Sequence, residues 1–343
     1  MKRIELQNVN FEYKGGKPVF SGLNLCLESG QGQGHCTAIM GASGSGKSTL
    51  LKLLLGIEMA KTGTLSMKPA DPVISYVPQE PVLFEHLSPK RNARYFEFAG
   101  AYQHRFDESL YFGLMHSLGL KEVIENAKSV TAISGGQKQR LSLLRALSIN
   151  PDFILLDEPC NGLDAEVKRN FLNKLREITE QYGLFVLYIT HHKLESQLIA
   201  DDIAYLVQDI SSGVVHQAVK STVKDFIHRP PVLEAAHVFR FPDVKVLPVS
   251  KLANGTVTIA NDSKSTTHYW LIDDQDIGFT DEGWKFKVVA KSPVYATIRH
   301  EPSQIDWMMP SELLNGQPVG GIVNLNFRDD VLEYDENGLL IKR

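Results

Sequence analysis

The feature that most constrains this chain is a glycine-rich stretch near its start, which reads MGASGSGKST over residues 40–49. Residues 41–48 have the spacing GxxxxGK[ST], an apolar run at 37–40 precedes them, and leucines with helical spacing follow. A strand, a glycine loop and a helix in this order allow backbone N–H groups to converge on phosphate oxygens. We therefore predict a phosphate-binding loop rather than a glycine-rich surface turn.

Two side chains of this loop are candidates for direct phosphate chemistry. Lys47 is expected to reach the β- and γ-phosphates of a nucleotide, and the hydroxyl of Ser48 is expected to ligate Mg²⁺. The predicted nucleotide-binding residues of the loop are Gly41, Ala42, Ser43, Gly44, Ser45, Gly46, Lys47, Ser48 and Thr49.

A second motif, FILLDEP at residues 153–159, ends a predicted buried strand with two acids. The carboxyl ends of strands in an open α/β sheet form the edge where ligands bind. Asp157 is expected to hold Mg²⁺ through water. Glu158 points in another direction and is expected to polarise a water for attack on the γ-phosphate. The alternative is a solvated strand end, against which the phosphate loop argues.

A third motif, ISGGQKQR at residues 133–140, opens a predicted amphipathic helix. A serine N-cap followed by two glycines forms a second anion-binding helix end. One chain then carries two elements that could bind a γ-phosphate, the phosphate loop and this helix start, which is more than one site needs. The simplest resolution is a head-to-tail pair, in which this motif of each copy closes on the nucleotide held by the other copy; the alternative is a helix cap alone. The residues assigned to this role are Ser134, Gly135, Gly136 and Gln137.

The remaining pattern predicts two domains, 1–230 and 231–343. In the first, short apolar strands alternate with helices, which favours a parallel sheet covered on both faces, and residues 84–150 are expected to be mostly helical. Pro230 and Pro231 interrupt this pattern, and the short β-rich segments after them predict a small all-β barrel. The predicted strands of the first domain lie at 73–77, 153–156, 184–189 and 203–207, and a helix is predicted at 164–182.

Composition narrows the class of protein. The 343 residues carry 36 basic and 40 acidic side chains, a net charge of -4, so the basic excess of a nucleic-acid binder is missing. The three cysteines share no CxxC spacing, which fits a reducing cytosol. The sequence has no apolar run near the roughly 20 residues that cross a bilayer and no signal-peptide core. At a membrane, we therefore expect another chain to do the crossing.

Together, the three motifs resemble those of the ATP-binding-cassette (ABC) ATPases, and the resemblance covers roughly residues 1–230. It implies a P-loop NTPase fold with a parallel sheet core and a helical subdomain, and ATP with Mg²⁺ as ligands. It also assigns four further residues. Tyr13 would stack on adenine, Gln79 would touch Mg²⁺ and the water and sense a transmembrane subunit, Asp164 would cross a dimer interface, and His191 would contact the γ-phosphate.

The sequence departs from the family pattern in three places. Ile133 stands where leucine is usual, which is conservative. Cys160 and Asn161 replace the usual residues before Gly162-Leu163-Asp164, which affects the expected geometry of the crossing loop. His192 and Lys193 replace the acidic and polar residues that commonly follow the switch histidine. The catalytic acids are unaffected.

Within the family, the chain is similar to the ATPase subunits of bacterial importers. Only 86 positions separate Ser48 from Ser134, which excludes the coiled-coil chromosomal class, and the chain has one cassette and no fused membrane helices. The tail resembles an oligonucleotide-binding-like (TOBE-like) regulatory domain, with LIDDQDI at 271–277 where such tails often read IRPEDI. The alternative is a cytosolic, non-transport cassette ATPase that acts in assembly or regulation.

The importer resemblance implies a set of partners. These are a second cassette in a homodimer or paired cassette, integral membrane permease subunits and, indirectly, a solute-binding protein, with no nucleic acid. The expected position is the cytoplasmic face of the inner membrane, and molybdate or another anion is a guess at the solute.

Overall fold

The structure is a computed structural model that describes residues 1–30, 32–209, 212–240, 244–251, 257–260, 266, 268–273, 277–291, 295–314, 316–327, 331–335 and 339–342. Contacts between residues divide the chain into two units, Met1–Val223 and Lys224–Arg343. A functional boundary at residue 230 stays a prediction.

A nine-stranded sheet forms the centre of the first unit. Its strands are β1 (Arg3–Glu12), β2 (Pro18–Glu28), β3 (His35–Gly41), β4 (Thr62–Lys68), β5 (Ile74–Val77), β6 (Phe153–Asp157), β7 (Phe185–Ile189), β8 (Asp202–Gln208) and β9 (Val215–Thr222). They lie in the order β4-β1-β2-β9-β8-β3-β7-β6-β5. The predicted strands correspond to β5, β6, β7 and β8, and this core is parallel as predicted, with β3 between β7 and β8 and β6 between β5 and β7.

The sheet also contains antiparallel strands that the sequence did not reveal. Strand β1 pairs antiparallel with β2 and β4, and β8 pairs antiparallel with β9. In β1 the buried positions Ile4 and Leu6 follow a two-residue period that is interrupted before Val9. The cause is an irregularity at Asn8, whose φ is 50°. Because the alternation of buried and exposed residues is interrupted there, the sequence of β1 does not show the continuous two-residue periodicity that predicts a strand.

Helices cover both faces of this sheet. Residues 153 and 155 of β6 contact one hydrophobic cluster, which contains the leucines of the first helix, and residues 154 and 156 contact the other, which contains the helical segment. Residues 84–150 are mostly helical, as predicted. The helices are α1 (Lys47–Leu54), α2 (Pro89–Ala93), α3 (Tyr95–Phe98), α4 (Glu108–Ser117), α5 (Lys121–Asn126), α6 (Gly135–Leu147), α7 (Ala165–Gln181) and α8 (Lys193–Ile199), with 3-10 turns at Gln103–Arg105 and Val130–Ala132.

The second unit is β-rich, as predicted. After α9 (Val223–His228) and α10 (Leu233–Arg240), its strands are β10 (Val244–Lys251), β11 (Val257–Ile259), β12 (His268–Asp273), β13 (Ile277–Lys291), β14 (Tyr295–His300), β15 (Ile305–Pro310), β16 (Ile322–Phe327), β17 (Leu332–Asp335) and β18 (Leu340–Lys342), with a 3-10 turn at Ser311–Leu314. They form two sheets, ordered β11-β10-β12-β17-β18 and β15-β14-β13-β16, where the sequence suggested a barrel.

Helix α10 was not predicted, since Pro231 and Val232 before it offer no capping side chain as a start signal. The importer-like heptapeptide at 271–277 falls partly outside the described residues, at 274–276. The three cysteines are free, and among the described residues no helix is long and apolar enough to cross a membrane.

Candidate nucleotide site

The glycine loop leaves the buried strand β3 at Gly41 and ends where α1 begins at Lys47. Gly46, the residue before the helix, has a left-handed φ of 78°. A Cβ at this position would lie 2.8 Å from both Phe20 Cε1 and Val19 Cγ1. Conformation and space both require glycine here, so the loop is bent tightly against β2.

Lys47 lies folded over this loop. Its Nζ donates to the backbone oxygens of Gly41 at 2.9 Å and Ala42 at 2.8 Å. Partial burial lowers the pKa of Lys47, while the negative charges of Glu158 and Asp157 oppose that shift. The structure thus brings the predicted lysine and both predicted acids within electrostatic reach of one another.

Tyr13 lies beside α1, and its stacking on adenine stays a prediction. Its hydroxyl is 3.1 Å from Thr49 Oγ1, and Lys52 Nζ lies 5.2 Å from the centre of its ring. The ring packs edge-on against Phe11 at 4.9 Å and keeps an exposed surface. Part of Tyr13 therefore stays exposed beside Thr49, while Lys52 lies over the ring.

Asp157 ends the buried strand β6, and burial raises the pKa of its carboxyl. The hydroxyl of Tyr76 donates to Asp157 Oδ2 at 3.3 Å. Burial, and then Asp157, raise the pKa of Tyr76 to about 12, so the phenol stays protonated and able to donate at neutral pH. Tyr76 belongs to none of the sequence motifs, and only the pairing of β5 with β6 reveals its place beside Asp157.

Glu158 is held between two of the predicted residues. Gln79 Nε2 donates to Glu158 Oε2 at 3.4 Å, and His191 Nδ1 lies 2.7 Å from Glu158 Oε1. Glu158 has a left-handed φ of 43°, which costs a non-glycine residue about 1–2 kcal/mol. Its N–H donates to Ile189 O at 3.0 Å, which holds the turn. This backbone directs Glu158 away from Asp157 and towards His191.

The other two predicted elements form a second group. Ser134 caps α6, with its Oγ accepting from Gln137 N at 3.3 Å and Gln137 Oε1 accepting from Ser134 N at 2.9 Å. Asp164 caps α7 through Oδ1, which accepts from Glu166 N at 3.1 Å and Val167 N at 2.9 Å.

These two helix starts adjoin, since a Cβ at Gly136 would lie 3.6 Å from Val167 Cγ1. Within residues 1–30 and 32–209, no hydrogen bond or ion pair joins this group to the phosphate loop or to Glu158.

A family model described as ABC transporter matches residues 21–161. This segment contains the phosphate loop, the capped SGGQ helix and the strand that ends at Asp157 and Glu158. The similarity to the ABC transporter family therefore lies in the segment that carries all three motifs.

Several curated proteins are similar to this chain. One is the sulfate/thiosulfate import ATP-binding protein CysA of Xanthomonas campestris pv. campestris, 34% identical over 51% of this chain and 54% of that protein. The Fe(3+) ions import ATP-binding protein FbpC of Photorhabdus laumondii is 33% identical over 58% of this chain and 57% of its own. The sn-glycerol-3-phosphate import ATP-binding protein UgpC of Bartonella quintana is 29% identical over 68% of this chain and 69% of that protein.

The chain spans about half the length of the first of these curated relatives. Among solved structures, cbiO1 from Clostridium perfringens, part of the ABC transporter complex cbiONQ, superimposes with a TM-score of 0.55 at 23% identity. The match covers 70% of this chain and 95% of that one, and at this identity it supports the cassette fold alone.

Proposed function

We propose that this chain binds and hydrolyses ATP, with Glu158 as the general base. The observation that carries this proposal is the position of Glu158, whose carboxylate meets Gln79 on one side and His191 on the other while its charge acts on Lys47. A base needs a hydrogen-bonding frame that points it at a water beside the γ-phosphate. Gln79 and His191 supply that frame around Glu158, which follows the carboxyl end of β6.

Each residue then has one task. Lys47 exchanges its two loop carbonyls for β- and γ-phosphate oxygens, Tyr13 stacks on the adenine, and His191 steadies the γ-phosphate while it orients Glu158. The residues fit Mg²⁺, because Ser48, Gln79 and Asp157 offer hydroxyl, amide and carboxylate oxygens, which this hard cation prefers. When bound, Mg²⁺ would neutralise charge on the phosphates.

The second part of the proposal is that two copies share each nucleotide. Ser134, Gly135 and Asp164 are exposed, and they lie in a group that no bond of their own chain connects to the phosphate loop in residues 1–30 and 32–209. The start of the 13-residue helix α6 presents unpaired backbone N–H groups and a positive dipole end. A head-to-tail dimer places this end on the partner's γ-phosphate.

The third part is that the dimer drives import through separate membrane subunits. Supporting it, the three relatives named above are import ATP-binding proteins. The helical segment also carries a cavity of about 350 Å³, lined by Leu87, Arg91, Tyr95, Phe98 and Ala99, in which the Phe98 ring is 73% exposed. Such an apolar groove suits a short helix of a permease loop. In this proposal the chain binds at the cytoplasmic face of the membrane. Transport assays with molybdate and other anions would identify the solute.

The experiment that tests the base and the dimer together is Glu158→Gln. This change keeps the size and hydrogen bonding of the side chain but removes the proton acceptor, which typically costs about 10²–10⁴-fold in rate. Nucleotide binding should persist, so ATP accumulates between two copies. Light scattering should show a dimer with ATP and Mg²⁺ but a monomer with ADP.

Two further measurements complete this test. Adding Ser134→Arg to Glu158→Gln should abolish the dimer while ATP binding to the single copy remains. A Glu158→Gln protein that binds ATP yet stays monomeric, even with its membrane subunits present, would contradict the shared site. Affinity purification from solubilised membranes should recover multi-span subunits, whereas recovery of soluble partners alone would favour a non-transport ATPase in assembly or regulation.

A further inference from the structure

A buried carboxylate beside the candidate site has no role in the scheme above. Glu195, in α8, is 1% exposed. Its Oε1 accepts from Lys168 Nζ at 2.6 Å, and its Oε2 accepts from the hydroxyls of Tyr188 at 3.0 Å and Thr190 at 2.7 Å. A buried charge is tolerated only where such partners replace its lost hydration. Three donors therefore converge on one carboxylate directly behind the strand end that leads to His191.

Thr190 connects this carboxylate to the backbone around His191. Its hydroxyl has one hydrogen, which it donates to Glu195, so its lone pairs are left to accept from His192 N at 3.0 Å. The backbone N–H of Thr190 donates to Ile39 O at 3.3 Å. The main chain is thus anchored one residue before and one residue after His191.

The imidazole of His191 depends on that anchoring. Its side chain is 53% exposed, so packing alone does not set its orientation, yet its Nδ1 lies 2.7 Å from Glu158 Oε1. A small change in the direction of the main chain at residue 191 would move the ring by more than the tolerance of one hydrogen bond.

Lys168 brings a second helix into the same network. It lies in the first turn of α7, and its backbone N–H donates to the oxygen of Asp164 at 2.9 Å. The Lys168–Glu195 ion pair therefore fixes α8 and the end of β7 against the helix that begins at the exposed Asp164.

We propose that Glu195 and Lys168 are positioning residues that act through Thr190 to hold His191 against Glu158. The proposal rests on the function proposed above for that pair. If the network only anchored α8 to the core, its loss would lower stability without moving the His191 ring.

The test uses the full chain with three substitutions in the network and one control, and two further variants assign and check the His191 signal. Thr190→Val keeps the volume of the side chain but removes the hydroxyl, Lys168→Met removes the charge, and Glu195→Gln removes the ion pair. The control is Lys174→Met, on the same helix, which breaks the ion pair of Lys174 with Glu177 near the surface. Lys168→Met leaves the buried charge of Glu195 without its cation and is the variant most at risk of unfolding. Thr190→Val keeps both charges, and Glu195→Gln removes the buried charge, so these two variants carry the test if Lys168→Met does not fold.

Two readouts separate positioning from structure. The first is kcat for ATP hydrolysis together with the Kd for ATP: we expect kcat to fall at least tenfold in Thr190→Val and Lys168→Met while Kd stays within twofold. The second is the ¹³C-labelled histidine spectrum without nucleotide, in which the His191 signal is assigned from its loss in His191→Gln. The chemical shift of that signal should change in Thr190→Val and Lys168→Met. It should stay at its wild-type value in Thr190→Ser and in Lys174→Met.

The outcomes are distinct. An unmoved His191 signal in the folded Thr190→Val and Lys168→Met proteins would overturn the proposal, as would wild-type kcat in both variants. A shifted signal in a chain whose wild type hydrolyses no ATP would support the positioning network and refute the proposed activity instead.

Discussion

Replacing Gly46 by alanine tests the geometry of the phosphate loop most directly. Two costs add: a left-handed non-glycine residue costs about 1–2 kcal/mol, and forcing an extra methyl group into a packed site costs about 1–3 kcal/mol. The second cost arises because the new Cβ would lie 2.8 Å from Phe20 and Val19, and Phe20 is itself fully buried. We therefore expect Gly46→Ala to lose about 2–5 kcal/mol of folding free energy.

The loop contains its own matched control. Gly44 also has a left-handed φ, 81°, but a Cβ there meets nothing within 4 Å. Gly44→Ala should therefore lose only the conformational part, about 1–2 kcal/mol. At about 2–4 °C per kcal/mol for a domain of this size, Gly46→Ala should melt roughly 2–12 °C below Gly44→Ala.

The assay is thermal unfolding by far-UV circular dichroism at one scan rate. Tryptophan fluorescence serves as an internal reference, because Trp270, Trp284 and Trp307 all lie in the second unit. Equal melting temperatures for Gly44→Ala and Gly46→Ala would show that the contact with β2 does not set the loop, and the reasoning would fail.

Three further predictions follow from the same structure. Lys47→Ala removes charged hydrogen bonds to phosphate worth about 1.5–3 kcal/mol, so a fluorescent ATP analogue should bind about 10–100-fold more weakly; wild-type affinity would count against the site. Burial raises the pKa of Asp157, so its charge opposes folding as the pH rises above about 3.9; Asp157→Asn should raise the melting temperature at pH 7 but not at pH 3, and should lose Mg²⁺-dependent hydrolysis. A chain ending at Val223 should fold and hydrolyse ATP, as measured by phosphate release; an insoluble or inactive product would assign the second unit to the ATPase core.

The motifs of the candidate site were easier to recognise in the sequence than the pairing of the strands was. Motifs such as the phosphate loop and the acids after β6 can be read locally, because each is a short run whose spacing follows from one ligand. The antiparallel pairing of β1 with β2 and β4 could not be read locally, since it depends on partners distant in the chain and on the irregularity at Asn8.

Residues that act by reaching another element were the hardest to find. Glu195 looks like an ordinary polar position of a short helix, and only the fold shows that Lys168, Tyr188 and Thr190 converge on it. Tyr76 likewise gains meaning only because β5 lies beside β6. Such contacts join residues far apart in sequence, which periodicity and spacing do not encode.

The reciprocal bonds between Ser134 and Gln137 have a consequence for how fast two copies could meet. Because each side chain satisfies the backbone of the other, the start of α6 is already rigid in a single chain. Ordering a loose segment on contact costs conformational entropy and slows association, whereas a prebuilt surface docks as a rigid body. In the proposed dimer, the encounter would therefore be limited by diffusion and orientation, and not by any folding of the surface that meets the partner's nucleotide.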